Sequence, residues 1–226
     1  MKPLSLTELY PPLGLVVRTP DLLLQVADEY RGARLASNSR EGIHAPGFYP
    51  FASSWSDAAP EVVAQRVFRN VTSRAWKPGD PWSLNFVVHL RPTMYPIGVM
   101  SLRQRDDGAV GTGSWLLLSQ QGKGYGTQAR AAALKLAFEG MRMLEAVTSA
   151  YTYNAPSLGV TRKLGYTEVL SEPREVNGET VTSLMFSVSP DSFRDSEAGR
   201  CFGDGIWWTG LEPVLVYFGI EGEFEK

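Results

Sequence analysis

One cysteine, Cys201, and two histidines, His44 and His89, are all the chain has of the residues that build disulfides and most zinc sites. A single cysteine excludes an intrachain disulfide, and two distant histidines without a cysteine pair leave no zinc-ligand cluster; no metal is expected. An excess of either charge is missing too. With 22 basic against 24 acidic residues, the net charge of −2 gives no general attraction to nucleic acid or to an anionic membrane. Nowhere do about 18 apolar residues run together, and Met1 to Tyr10 lacks a basic stretch followed by an apolar core, which leads to a cytoplasmic expectation. At 226 residues the chain is long enough to bury one sizeable core.

What is there is glycine in one telling place. Gln121-Gly122-Lys123-Gly124-Tyr125-Gly126 lies between the apolar run Trp115 to Leu118 and the alanine-rich stretch Thr127 to Glu139. A strand entering a glycine turn and then a helix leaves backbone N–H groups unpaired at the positive end of the helix dipole, where phosphate binds. Missing Cβ atoms let an anion approach the backbone itself. A P-loop would need Ser or Thr after Gly-Lys, but Lys123 is followed by Gly124. A dinucleotide turn would need G-x-G-x-x-G early in a βαβ unit; here the spacing is G-x-G-x-G, and Glu145 precedes its strand instead of ending it.

The remaining pattern, Q-x-x-G-x-G carried by Gln121, Gly124 and Gly126, resembles the pyrophosphate signature of the GNAT (N-acetyltransferase) superfamily. A second block, Asn154, Ser157, Val160 and then Lys163-Leu164-Gly165-Tyr166, is similar to the N-x-x-S-x-x-V-x-x-K-L-G-F/Y block of its RimJ/RimL-type branch. Gly42-Ile43-His44-Ala45-Pro46, Pro50-Phe51 and Trp55 resemble a set of actinobacterial members that includes a mycobacterial succinyltransferase. The resemblance covers roughly residues 13 to 189, and the tail partly through Gly210-Leu211-Glu212-Pro213. It implies an α+β fold with a mixed, mostly antiparallel twisted sheet, splayed at the cofactor site and with helices on both faces. It also implies an acyltransferase domain over 1–189, with 190–226 as an extension of extra strands.

Along the chain, Leu13 to Val17 and Leu22 to Val26 read as an edge strand broken at Thr19-Pro20. Asp28 suits a cap for a helix from Glu29 to Arg40 that Gly42 stops, and Ala45 to Pro60 is a packed aromatic loop. Pro60 opens a helix to Trp76 with Val63, Val67 and Val71 on its apolar stripe. Strands follow at Trp82 to Leu90, Ile97 to Arg103, Gly113 to Leu118 and Ala146 to Tyr151. The helix after Gly126 ends at Gly140, and a short helix from Pro156 to Leu164 is closed by Gly165. Glu168 to Val176 and Thr180 to Val188 flank Asn177-Gly178, a hairpin signal. Ile206 to Trp208 and Val214 to Phe218 are expected as further strands.

Acyl transfer from a thioester to an amine needs a neutral amine, a polarised carbonyl and a proton for the departing thiolate. By resemblance, acetyl-CoA or succinyl-CoA is the co-substrate, and the acceptor is a protein N-terminus, a lysine or a small-molecule amine. Trp115, Leu116 and Leu117 would pair through their backbones with the pantetheine arm. Gln121, Gly122, Lys123, Gly124, Tyr125, Gly126 and Thr127 would cradle the pyrophosphate, and Lys123, Arg162 or Lys163 would meet phosphates. Asn154 would bond a pantetheine amide, or only cap its helix, and Ser157 would protonate the thiolate, or only cap. Many family members use a tyrosine four residues later, where Thr161 stands. The usual strand carboxylate is missing from Val110-Gly111-Thr112-Gly113-Ser114, so Glu172, Glu175 and His44 are the candidate bases. His89 is expected to have no catalytic role. Two rival readings are a non-catalytic acyl-CoA sensor of the same fold and an NAD-dependent oxidoreductase; self-association is left open.

Overall fold

The structure, a computed structural model, describes residues 2–74 and 81–220. Its elements in chain order begin with α1 (Leu6–Leu9), β1 (Val16–Arg18), β2 (Leu22–Val26), α2 (Glu29–Ser39) and α3 (Pro60–Val71). The middle of the chain forms β3 (Ser83–Leu90), β4 (Tyr95–Gln104), β5 (Val110–Leu116), α4 (Tyr125–Lys135), β6 (Ala146–Tyr151) and α5 (Ala155–Lys163). β7 (Thr167–Val176), β8 (Glu179–Val188), α6 (Pro190–Arg194), α7 (Glu197–Phe202), β9 (Trp207–Thr209) and α8 (Glu212–Phe218) complete it. The strands form a nine-stranded sheet in the order β7-β8-β6-β5-β4-β3-β2-β1-β9, antiparallel everywhere except between β5 and β6.

Local chemistry explains most of these boundaries. Asp28 Oδ1 accepts the Arg31 N–H at 2.7 Å, capping α2 as expected, a bond of the kind worth about 1 kcal/mol. Val63, Val67 and Val71 are buried along α3, which closes at Val71 with Thr72 as its C-cap, short of the expected end at Trp76, a residue outside the described ones. Asn177 and Gly178, at φ 52° and 83°, make the tight β7–β8 turn. Gly98 has a different reason: a Cβ there would sit 2.2 Å from the Trp115 carbonyl, so only glycine lets β4 lie against the end of β5.

Two expectations about the chain's ends are corrected. β1 is not an edge strand, because β9 pairs with it on the far side through Val17 and Trp208. Val214 to Phe218 is not a strand but most of α8, with Pro213 in its first turn and Gly219 at φ 64° after its last. Leu211, Val214 and Leu215 are buried there, the helical i, i+3, i+4 stripe that the strand-like run Val214-Leu215-Val216 obscures. Phe193, Ala198, Ile206, Leu211, Val214 and Leu215 belong to the same apolar cluster as the α4 and sheet residues.

α4 is buried nearly all round, from Thr127 to Leu134, and continues as a π-helical turn over Leu136–Gly140. Gln128 fixes its position. Its amide nitrogen donates to Asp21 Oδ2 at 2.9 Å and its oxygen accepts from Thr19 Oγ1 at 2.6 Å, locking the start of the helix to the β1–β2 turn.

His89, 2% exposed on β3, has no partner for its Nδ1 among the described residues. Burial is the main cause that pushes the imidazole down to about 4, with Arg31 and Arg34 adding to it against backbone hydrogen bonds that oppose it. Between the unfolded value near 6.5 and about 4, the unfolded chain binds a proton that the folded chain refuses. Stability from this residue is therefore present above pH 6.5 and lost as pH falls to 4, by at most about 3 kcal/mol. In denaturant titrations, His89→Gln should flatten the acid limb of stability across that window; an unchanged slope would assign the acid loss elsewhere.

Candidate functional site

β5 and β6 run parallel for only two paired positions, Val110 with Ala146 and Gly111 with Val147. Beyond them the strands part. Two threonines close the crotch of this fork, Thr148 Oγ1 donating to the Thr112 carbonyl and Thr112 Oγ1 to the Val147 carbonyl, each at 3.2 Å. Buried Tyr166, its phenol held above its usual value chiefly by desolvation, lies 3.0 Å from Thr112 Oγ1. A cavity of about 470 Å³ opens here, walled by Thr112 to Trp115 on one side and Val147 to Ser149 on the other. It extends over the sheet face that carries Asn85 and Ser101, under Phe51 and Trp55.

The backbone phase of β5 decides which groups face the fork. The Leu117 N–H donates to the Ile97 carbonyl at 2.8 Å, so the antiparallel alternation turns residues 113, 115 and 117 toward β4. Residues 112, 114 and 116 turn their polar groups to the open side. Of Trp115, Leu116 and Leu117, only Leu116 therefore faces the fork through its backbone, and its carbonyl already accepts from Gln121 Nε2 at 2.9 Å. Ser114 joins it on that side, a residue that strand periodicity alone could not separate from its neighbours.

The glycine turn follows. From Gly122 to Thr127, six consecutive backbone N–H groups have no acceptor among the described residues; the Gln121 N–H goes to Leu118, and the first bond of α4 is Gln128 to Gly124. Gly122 at φ 73° and Gly124 at φ 84° hold the left-handed conformations that turn these amides outward, and a Cβ on either would meet nothing within 4 Å. This cradle fits a pyrophosphate by its donors, its shape and its place at the N-terminus of α4.

Gln121 does something the pattern alone did not reveal. Its amide nitrogen bridges the Leu116 carbonyl and the Ile43 carbonyl, the latter at 2.7 Å, while the Leu118 N–H donates to the Gly42 carbonyl at 3.0 Å. The loop after α2 is thereby stapled to the turn. Lys123 Nζ rests on Gln120 Oε1, Lys163 pairs with Glu197 at 3.2 Å, and Arg162 is exposed with no partner among the described residues.

Asn154 Oδ1 caps α5 by accepting the Ser157 N–H at 3.2 Å, and its Nδ2 is left without a partner among the described residues. Ser157 uses only its backbone, receiving Thr161 Oγ1 on its carbonyl; its own hydroxyl has no partner among the described residues. The candidate bases are not brought together. His44 holds Ser56 Oγ at 2.9 Å through Nε2 and the Ala45 carbonyl through Nδ1. Glu172 pairs with Arg174 on the hairpin. Glu175 accepts from Thr180 and lines a second cavity of about 250 Å³ with Ser56 and Phe51, the latter also walling the first cavity. Neither a carboxylate nor a histidine is among the residues that line the larger cavity.

Among the described residues no group of three or more metal-ligating side chains occurs, and no helix is long and apolar enough to cross a membrane. The architecture is similar to that of several solved structures. Mycobacterium smegmatis RimJ in complex with CoA-disulfide superposes with a TM-score of 0.62 at 19% identity, over 84% of this chain and 94% of that one. The ribosomal-protein-S5-alanine acetyltransferase from Vibrio fischeri gives 0.60 at 20% identity, over 79% and 98%. A GCN5-related N-acetyltransferase from Brucella melitensis gives 0.61 at 15%, over 82% of each chain. Those likenesses establish the fold, and the match of residues 30–167, more than half of the chain, to the Acetyltransferase (GNAT) domain places this protein in the GNAT acetyltransferase family.

Proposed function

We propose that this chain is a cytoplasmic N-acyltransferase that uses an acyl-CoA thioester directly, with no covalent enzyme intermediate. The observation that carries the reading is the run of six amides from Gly122 to Thr127 with no acceptor among the described residues, beside a fork toward which β5 turns the Ser114 backbone and the Leu116 N–H. The turn would take the pyrophosphate, with Lys123 and Arg162 near the phosphates. The pantetheine arm would lie in the fork against Ser114 and Leu116, and Asn154 Nδ2 would bond one of its amides. A backbone N–H on β5 would polarise the thioester carbonyl.

The acceptor amine would approach through the larger cavity, beneath Phe51, Trp55 and Trp115. Attack makes the N–C bond and breaks the C–S bond. Ser157, with a hydroxyl not spent on the fold, would give the thiolate its proton. The amine's proton would leave through water toward Glu175, the one candidate base that lines a cavity, with His44 holding Ser56 across the same space. The likeness to a ribosomal-protein-S5-alanine acetyltransferase supports trying protein amines first, N-termini and lysines, ahead of small amines.

Calorimetric titration with CoA and with NAD, followed by turnover on a panel of amines, tests this. CoA binding with turnover is expected. Thioester binding without turnover on any amine would make the chain a sensor, and NAD binding in preference to CoA would overturn the cradle's assignment.

A further inference from the structure

Arg130 sits in the most buried stretch of α4 and is 4% exposed. Its Nη2 donates to Ser114 Oγ at 2.9 Å, while Nε and Nη1 are buried with no acceptor among the described residues. No ion pair among the described residues includes it. Burial weakens its hold on its proton, and the residue exerting a field on it is the phenol of Tyr166, not a carboxylate. A buried guanidinium without a counter-charge is costly to the fold, so its retention asks for an anion.

The place is specific. Ser114 follows Thr112 on the same face of β5, is the first residue on that face beyond the crotch, and lines the larger cavity. Its oxygen is taken by Arg130, which leaves its own proton to give to a ligand. The blind end of the fork is thus walled by the hydroxyls of Thr112, Ser114 and Thr148, with a cation directly behind. A carboxylate would find a hydroxyl donor in Ser114, polarised from behind by the Arg130 guanidinium that holds its oxygen.

We infer that Ser114 and Arg130 form an anion subsite at the closed end of the fork, which selects an acyl thioester whose acyl group ends in a carboxylate, a succinyl-type donor. The inference rests on the reading that the fork holds the thioester arm. The reaction is unchanged in its balance: the amine nitrogen bonds the acyl carbon, the C–S bond breaks, the amine proton goes to water, the thiolate is protonated, and the distal carboxylate is a spectator.

The test compares dissociation constants of free CoA, butyryl-CoA and succinyl-CoA, the last two alike in chain length but not in charge, for the wild type, Arg130→Met and Ser114→Ala. The wild type should bind succinyl-CoA at least tenfold more tightly than butyryl-CoA. Arg130→Met, whose apolar side chain suits the buried site, should erase that preference while free CoA binds within about threefold of wild type, and Ser114→Ala should reduce it severalfold. Equal affinity of the wild type for the two thioesters, or a preference that survives in Arg130→Met, would overturn the subsite alone. Failure of free CoA to bind would sink the cradle and the subsite together.

Discussion

Gly124→Glu is expected to weaken CoA binding at least a hundredfold while leaving the domain folded. Gly124 caps α4 with φ 84° and ψ −13°, and a Cβ there points into open space. A glutamate would put a carboxylate where the phosphates belong, at a site whose unpaired amides otherwise make charge-assisted bonds worth about 1.5–3 kcal/mol each. Losing two of them already exceeds a factor of 100. The fold loses only the left-handed backbone penalty of about 1–2 kcal/mol, a few degrees of melting temperature in a chain of this size. Gly124→Ala is the control, because it carries the same backbone penalty without the charge. Calorimetry should find its CoA affinity far closer to wild type, and an unaltered affinity in Gly124→Glu would end the case for the cradle.

Ser157→Ala should lower kcat by about 10² or more, the usual reach of a positioned acid, with CoA affinity changed only severalfold. The substitution is clean for a structural reason. The serine serves the fold through its backbone, donating to Asn154 Oδ1 and accepting from Thr161 Oγ1, and alanine keeps both contacts. A fall in kcat without a fall in melting temperature would separate chemistry from packing. Identical turnover across the pH range would hand the proton transfer to water.

Much of the local structure could be read from residue order because its parts depend on short stretches of chain. The glycine turn, the helix that follows, the Asp28 cap and the Asn177-Gly178 hairpin each depend on backbone conformations and spacings within a few residues. α8 is hidden in the residue order because Val214, Leu215 and Val216 look like a strand, and only Pro213 in the first turn and Gly219 after the last mark a helix. The placing of Trp115, Leu116 and Leu117 was coarser for another reason. Which of them faces the fork depends on the β4–β5 register, and that depends on a partner strand at the far side of a turn.

By itself the order of residues determined that a strand, a six-residue glycine turn and an alanine-rich helix would expose a row of amides, since φ preferences and helix periodicity act over a few bonds. Only the tertiary structure decided that β5 and β6 part after two pairs, that Gln121 ties the turn to the loop at Ile43, and that Arg130 is enclosed behind Ser114 with no counter-charge among the described residues. Those outcomes depend on strand register and on the desolvation of groups brought together from distant positions, which no local preference encodes.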